Sequence, residues 1–140
     1  MQRRIVPDIM AEGRDLLELP ATASVYDAAC AMRDWNVGAV LITDEGRLTG
    51  IFTERDMINR VVACEREPKT TPLAEVMTAG PSTISPKATA LEALRLMEDG
   101  GYRHLPVVAG KHLVGIVSRR DFFGSEKAQL DSETSLWQRL

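Results

Sequence analysis

The sequence predicts an α/β fold of the α+β kind, built from two tandem β-α-β-β-α repeats. Three observations predict it. The heptapeptide GIFTERD at residues 50–56 returns as GIVSRRD at residues 115–121: Gly, two apolar residues, a hydroxyl residue, two charged residues and Asp in both copies. Ahead of each copy lies an amphipathic helical pattern with its own start signal. Between helix and heptapeptide, each copy carries two extended apolar runs joined by a tight turn.

A repeat of this length has to be found before any fold is assigned, because each copy is one structural unit. At the spacing of the heptapeptides, Ala28 matches Ala93, Met32 matches Met97, Val40 matches Leu105, and residues 37–39 match residues 102–104. Further back, VPDIM at residues 6–10 matches LAEVM at residues 73–77 at a slightly longer spacing, a change that loops tolerate best. The units read as residues 1–66 (core about 16–62) and 67–124 (core about 81–124), with a tail over residues 125–140.

Residues 6–10 are too few for an independent helix and predict a single turn. Their second copy follows Thr71 and Pro72, an N-cap candidate and a proline suited to the first helical position. Residues 64–71, charged and carrying Pro68, read as the linker. Residues 16–19 and 81–84 are expected to be extended, since proline disfavours helix in the residue before it.

The two helix starts have the spacing of capping boxes, Ser24 with Asp27 and Thr89 with Glu92. Behind them Val25, Ala28, Ala29, Met32 and Ala90, Ala93, Leu94, Met97 recur at i, i+3, i+4, i+7, giving each helix one apolar stripe. Asn36 with Gly38, and Gly100 with Gly101, supply the reversals that end them. Residues 39–43 and 105–109, turns at 44–47 and 110–112, and second runs at 48–52 and 113–117 then read as hairpins. A closing helix begins at the hydroxyl residue of each heptapeptide, with Met57, Ile58, Val61 and Val62 as the first stripe and Phe122 and Phe123 beginning the second. In the tail, Leu130, Leu136, Trp137 and Leu140 sketch a weak apolar face on a terminal helix.

Composition narrows the function. With 140 residues, 44% of them apolar and 26% charged, the chain can bury a sizeable core, and no segment is apolar enough to span a membrane. The N-terminal MQRRIVPDIM has no apolar run behind its arginines, so a cytoplasmic location is expected. A net charge of −3 argues against a sequence-independent grip on nucleic acid. Cys30 and Cys64 hold unmatched positions and lack metal or redox spacing; Cys30, inside a helical pattern, reads as a small buried residue. No catalytic residues are assigned: His104 and His112 fall on opposite sides of a predicted hairpin, and no serine adjoins a base.

The heptapeptide has two explanations. Thr53 with Asp56, and Ser118 with Asp121, are themselves capping boxes, each worth about 1 kcal/mol to the helix they start. The same geometry also suits a nucleotide. A carboxylate accepts hydrogen bonds from two vicinal hydroxyls, as on a ribose, and such bonds to a charged group contribute about 1.5–3 kcal/mol. A helix start and Arg55, Arg119 and Arg120 would favour phosphate.

With these residues in view, residues 5–124 resemble a tandem pair of cystathionine β-synthase (CBS) domains, the Bateman module. The resemblance is carried by the doubled heptapeptide, by the segments VGAVLIT and YRHLPVV, and by VPDIM and LAEVM. It implies two repeats packed about a pseudo-twofold axis, with clefts that bind adenosine-containing ligands: AMP first, or ADP, ATP, NAD(H) or S-adenosylmethionine. Carried onto this sequence, it puts ribose on Asp56 with Thr53, facing Ser82, Thr83, Tyr102, Arg103 and His104. The second ribose falls on Asp121 with Ser118, facing Leu17, Glu18, Val37, Gly38 and Ala39. Ile51 and Ile116 would lie against adenine, and Arg55 or Arg120 would point towards phosphate. Because Arg103 and His104 add positive charge, tighter binding of anionic nucleotide is expected in the Asp56 cleft.

The resemblance implies a non-enzymatic regulatory module, a homodimer formed through the closing helices, and an effector protein of unknown identity as recipient of the signal. The alternative is a structural dimerisation scaffold that binds no nucleotide.

Overall fold

The computed structural model describes residues 3–10, 13 and 15–122. These form two compact units: one spans Asp15–Pro81, and the other joins the described residues of Met1–Arg14 to those from Ser82 onward.

In the first unit, β1 (Glu18–Leu19) is followed by α1 (Val25–Trp35), β2 (Ala39–Asp44) and β3 (Arg47–Thr53). A short α2 (Glu54–Asp56) continues into a wider π-type turn (Met57–Val62). The chain then makes a 3-10 turn (Leu73–Glu75) and ends in β4 (Thr78–Ala79). β1 pairs parallel with β2, and β2 with β3 and β3 with β4 pair antiparallel, giving one four-stranded sheet.

Local chemistry accounts for these elements. Ser24 Oγ accepts from the amide of Asp27 at the start of α1, and Asn36 adopts the left-handed conformation that ends it. α1 turns Val25, Ala28 and Met32 onto the sheet, where they join Val40, Ile42, Phe52, Val61, Leu73 and Val76 in the core. Cys30 is only partly buried and Cys64 is exposed, so the first is not the core residue that its helical setting suggested.

The second unit repeats the plan with α3 (Ala90–Gly100), β5 (His104–Ala109) and β6 (His112–Ser118), then a 3-10 turn (Arg119–Asp121). Thr89 and Glu92 form the full reciprocal capping box, and Gly101 takes the left-handed C-cap. In place of β1 there is a single parallel bridge, Ile84 with Val107. Both hairpins slip register at the same place in the repeat, between Ile42 and Thr43 and between Val107 and Val108. Leu91, Leu94, Met97, Leu105 and Phe122 centre the core.

The segments ahead of each repeat are exchanged. Residues 3–10 pack with the second repeat: the Ala90 amide donates to the Arg3 carbonyl, the Ile5 amide to the Ala88 carbonyl, and Ile5 and Met10 are buried in the second core. Residues 71–79 do the same for the first repeat. The Val25 and Tyr26 amides, two of the unpaired donors at the start of α1, are taken up by the carbonyls of Thr71 and Pro68.

Residues 64–71 are therefore not a free linker. They turn back onto α1 and are fixed there by Thr71 Oγ1, which donates to the Glu67 carbonyl at 2.7 Å. This also corrects the expected capping role of Thr71: Pro72 is the N-cap of the following turn, and no side chain caps it.

The closing segments differ from expectation too. Val61 is fully buried and Met57 partly so, while Ile58 and Val62 are exposed. Phe122 is a core residue in extended conformation, so among the described residues the second heptapeptide starts a 3-10 turn and not the expected helix. Phe123 and the tail over residues 125–140 lie outside the described residues.

Candidate functional site

Both heptapeptides run from the last hairpin strand into a turn, and both use the aspartate in the same way. In the first, one carboxylate oxygen of Asp56, Oδ2, accepts from the Thr53 amide at 3.0 Å and the Thr53 hydroxyl at 3.1 Å. The Asp56 amide donates in return to Thr53 Oγ1 at 3.2 Å, closing the capping box. In the second, Asp121 Oδ2 accepts from the Ser118 amide at 2.7 Å and the Ser118 hydroxyl at 3.2 Å. Each carboxylate thus takes its cap bonds through one oxygen, Oδ2.

Each heptapeptide is tied to the strand start of its own repeat. Ala39 stands opposite Thr53 in the β2–β3 ladder, and the Glu54 amide donates to the Gly38 carbonyl at 3.0 Å. Correspondingly, His104 stands opposite Ser118, and the Arg119 amide donates to the Arg103 carbonyl at 2.8 Å. Leu17 and Glu18 join the first group through β1, the Leu41 amide donating to the Leu17 carbonyl. Ser82 and Thr83 lead to the Ile84 bridge in the second, and the Ser82 hydroxyl donates to the Tyr102 hydroxyl at 3.1 Å.

The structure therefore gathers Leu17, Glu18, Val37, Gly38, Ala39, Ile51, Thr53, Arg55 and Asp56 in the first unit. Ser82, Thr83, Tyr102, Arg103, His104, Ile116, Ser118, Arg120 and Asp121 gather in the second. The expected facing of Asp56 with residues 102–104, and of Asp121 with residues 37–39, concerns the relation between units. Within each unit the contact is with the same repeat's strand start.

The surroundings of the two acids differ. Arg60, one turn after Asp56, brings its Nε to 3.6 Å from Asp56 Oδ1, and the Asp56 side chain is only 12% exposed. The same guanidinium donates to the carbonyls of Val76 at 3.2 Å and Met77 at 2.9 Å. Asp121 forms no ion pair among the described residues; nearby, Arg119 is paired with Glu98 at 3.0 Å. Ile51 is buried and Ile116 partly buried, while Arg103 and Arg120 are exposed. Sequence reasoning missed Arg60, although an acid four residues ahead of an arginine on a helical turn is a recognisable pairing signal.

Among the described residues no group of three or more His, Cys, Asp or Glu side chains could hold a metal ion, and no helix is long and apolar enough to cross a membrane.

Comparison with known proteins decides the family. Residues 6–63 and 73–126 each match the CBS domain. The chain belongs to the CBS-domain family. It is 36% identical over 124 residues to the protein YlbB of Bacillus subtilis (strain 168), covering 87% of this chain and 82% of that one. A protein with CBS domains from Burkholderia ambifaria MC40-6 superposes with a TM-score of 0.75 at 38% identity, over 78% of this chain and 80% of that one. A CBS domain protein from Pyrobaculum aerophilum complexed with AMP shares the fold at a TM-score of 0.77 and 24% identity, over 94% of this chain and 98% of that one. Against two Arabidopsis thaliana CBS proteins the chain spans only 19% and 50% of the relative's length.

The chain is thus a CBS pair, and the mixed α+β repeat read from the sequence is the architecture found. Each motif aspartate is capped by its own repeat through Oδ2.

Proposed function

We propose that this CBS pair is a non-enzymatic adenine-nucleotide sensor that binds ligand at its motif aspartates and signals by a change of conformation. The observation that carries this reading is the doubled carboxylate geometry. In both repeats the hydroxyl residue caps one oxygen of the aspartate, Oδ2, so that an outside donor pair such as the vicinal hydroxyls of a ribose would meet the second, which at Asp56 also faces Arg60. Ile51 and Ile116, one strand position before the residue that precedes each hydroxyl, supply apolar surface for a base, and Arg55 and Arg120 supply charge for phosphate. Of the remaining candidate residues, Ser82, Thr83, Tyr102, Arg103 and His104 belong to the unit of the second motif, and Leu17, Glu18, Val37, Gly38 and Ala39 to that of the first.

AMP is the first ligand to test, since the Pyrobaculum aerophilum neighbour carries it, followed by ADP, ATP, NAD(H) and S-adenosylmethionine. A ligand acts on such a module only through its differential affinity for two arrangements. The output is a change in self-association, with a homodimer as the expected assembly, or in the hold on an effector protein. A thermal-shift screen tests the reading: ligand at about 100 times its Kd adds about 2.7 kcal/mol of stability, and an upward shift with an adenine nucleotide is the expected result. No shift with any of the five overturns it.

The scaffold reading has one specific observation in its favour. The Oδ2 atoms of Asp56 and Asp121 already serve as caps, so a ligand is not needed to account for these residues. A flat screen together with a stable dimer would establish it.

A further inference from the structure

The two motif aspartates carry the same cap but not the same second partner. Oδ1 of Asp56 faces the guanidinium of Arg60 at 3.6 Å, and that guanidinium is anchored on the opposite side by the carbonyls of Val76 and Met77. Half-exposed as it is, the guanidinium is thus held beside the carboxylate by three groups of one unit. Asp121 has no such neighbour among the described residues.

We propose that Arg60 is a specificity-determining residue that sets the two motifs apart, holding the first carboxylate against a ligand's vicinal hydroxyls and leaving the second as the primary acceptor. The inference rests on the nucleotide reading above and deepens it.

A diol donating to Asp56 has to share or displace the guanidinium. Sharing sets neutral hydroxyl donors beside a cation that already satisfies the carboxylate's charge. Displacement exposes a charge on an acid that is only 12% accessible and gives up donors to two backbone carbonyls. At Asp121 neither cost arises among the described residues. The charge pattern of the strand starts runs the same way, because Arg103 and His104 stand in the unit of Asp121, and Gly38 and Ala39 in that of Asp56. The proposal gives an order of affinity opposite to the one expected from sequence, where the Asp56 cleft is the tighter. The hold on Val76 and Met77 also gives Arg60 a consequence beyond affinity. Ligand that displaces it from Asp56 loosens its grip on the segment leading into β4.

The experiment is calorimetric titration of the full chain with AMP and, in parallel, with 2′-deoxy-AMP, which lacks the vicinal diol. The proteins are wild type, Asp56→Asn, Asp121→Asn, and Asp121→Asn combined with Arg60→Met. Arg60→Gln, which keeps a donor for the carbonyls, replaces Arg60→Met if the latter fails to fold by thermal melt. The expected result is that Asp121→Asn weakens AMP binding about tenfold or more, a larger loss than that from Asp56→Asn. In the Asp121→Asn background, removing Arg60 then tightens AMP binding about tenfold, and 2′-deoxy-AMP shows no such gain.

An equal or larger loss from Asp56→Asn, or no gain from either Arg60 substitution, overturns the inference while leaving the nucleotide reading in place. The absence of binding by either nucleotide to any of the proteins overturns the inference, and together with a flat five-ligand screen it overturns the nucleotide reading as well.

Discussion

The sulfur of Met77 lies 2.6 Å from where a β-carbon on Gly50 would stand, with the Thr78 carbonyl oxygen 3.0 Å away. The first glycine of the motif is therefore a docking point for the segment that runs into β4, which pairs with β3 at this residue. Gly115 repeats the arrangement with Met10, whose sulfur is 2.9 Å from the same virtual position. In both motifs the glycine admits a methionine from the exchanged segment.

Gly50→Ala is accordingly expected to lower the unfolding free energy by about 1–3 kcal/mol, because the added methyl meets backbone as well as a side chain. Gly115→Ala is expected to cost less, since only the flexible end of Met10 stands in the way. Urea unfolding of the two variants beside wild type measures both, and a larger loss at Gly115 would contradict this account.

The helix starts make a second comparison. Thr89 is 3% exposed, accepts from the Glu92 amide at 3.1 Å, and has its own amide bonded to the Glu92 carboxylate. At α1 only half of the box is present, Ser24 accepting from Asp27. Thr89→Ala is expected to cost about 1–2 kcal/mol and Ser24→Ala about 1 kcal/mol or less. Thermal unfolding ranks them, and equal losses would mean that the reciprocal bond adds nothing.

These caps also show what a sequence can carry. Ser24, Thr89, the stripes behind them and the hairpin turns are legible because a cap or an amphipathic period is a relation between residues a few positions apart. The residues of both motifs were found for the same reason, since a repeat exposes them without any knowledge of packing. The exchange of residues 3–10 and 71–79 was not legible: it joins Arg3 to Ala90, far apart in the chain, through segments too short to have a periodicity of their own. Residues 64–71 read as a linker because their composition is polar, and composition does not reveal that the Pro68 and Thr71 carbonyls complete the start of α1. Arg60 was a local relation that could have been read and was not.

Core substitutions bear on the two packed clusters. Phe52 is fully buried with Val40, Ile42 and Val61 in the first unit, and Leu94 is 1% exposed in the second with Leu91, Met97 and Leu105. Phe52→Ala is expected to cost about 3–5 kcal/mol and Leu94→Ala about 2–5 kcal/mol. Losses of this size consume much of the stability of a domain, so reduced soluble expression accompanies them. Denaturant unfolding checks both values, and a loss below 1 kcal/mol at either position would show that its cavity collapses.

Self-association is the last outcome to be tested, and Ile58 and Val62 are the residues to change. They are 61% and 67% exposed while their neighbour Val61 is completely buried, so the segment Met57–Val62 already anchors itself through one face and presents apolar side chains on another. Two exposed apolar side chains one turn apart beside a buried anchor are the candidates for the subunit contact. Under the proposed homodimer, Val62→Lys places a strongly hydrated ammonium in the contact and shifts the protein towards monomer, while its thermal unfolding at low concentration stays close to wild type because the site contributes nothing to the core. Analytical ultracentrifugation of wild type, Val62→Lys and Ile58→Glu over a range of concentrations decides it. A wild-type dimer that both variants leave unchanged would place the subunit contact elsewhere on the molecule, and a wild type that sediments as a monomer throughout would rule out self-association as the route by which the signal leaves this chain.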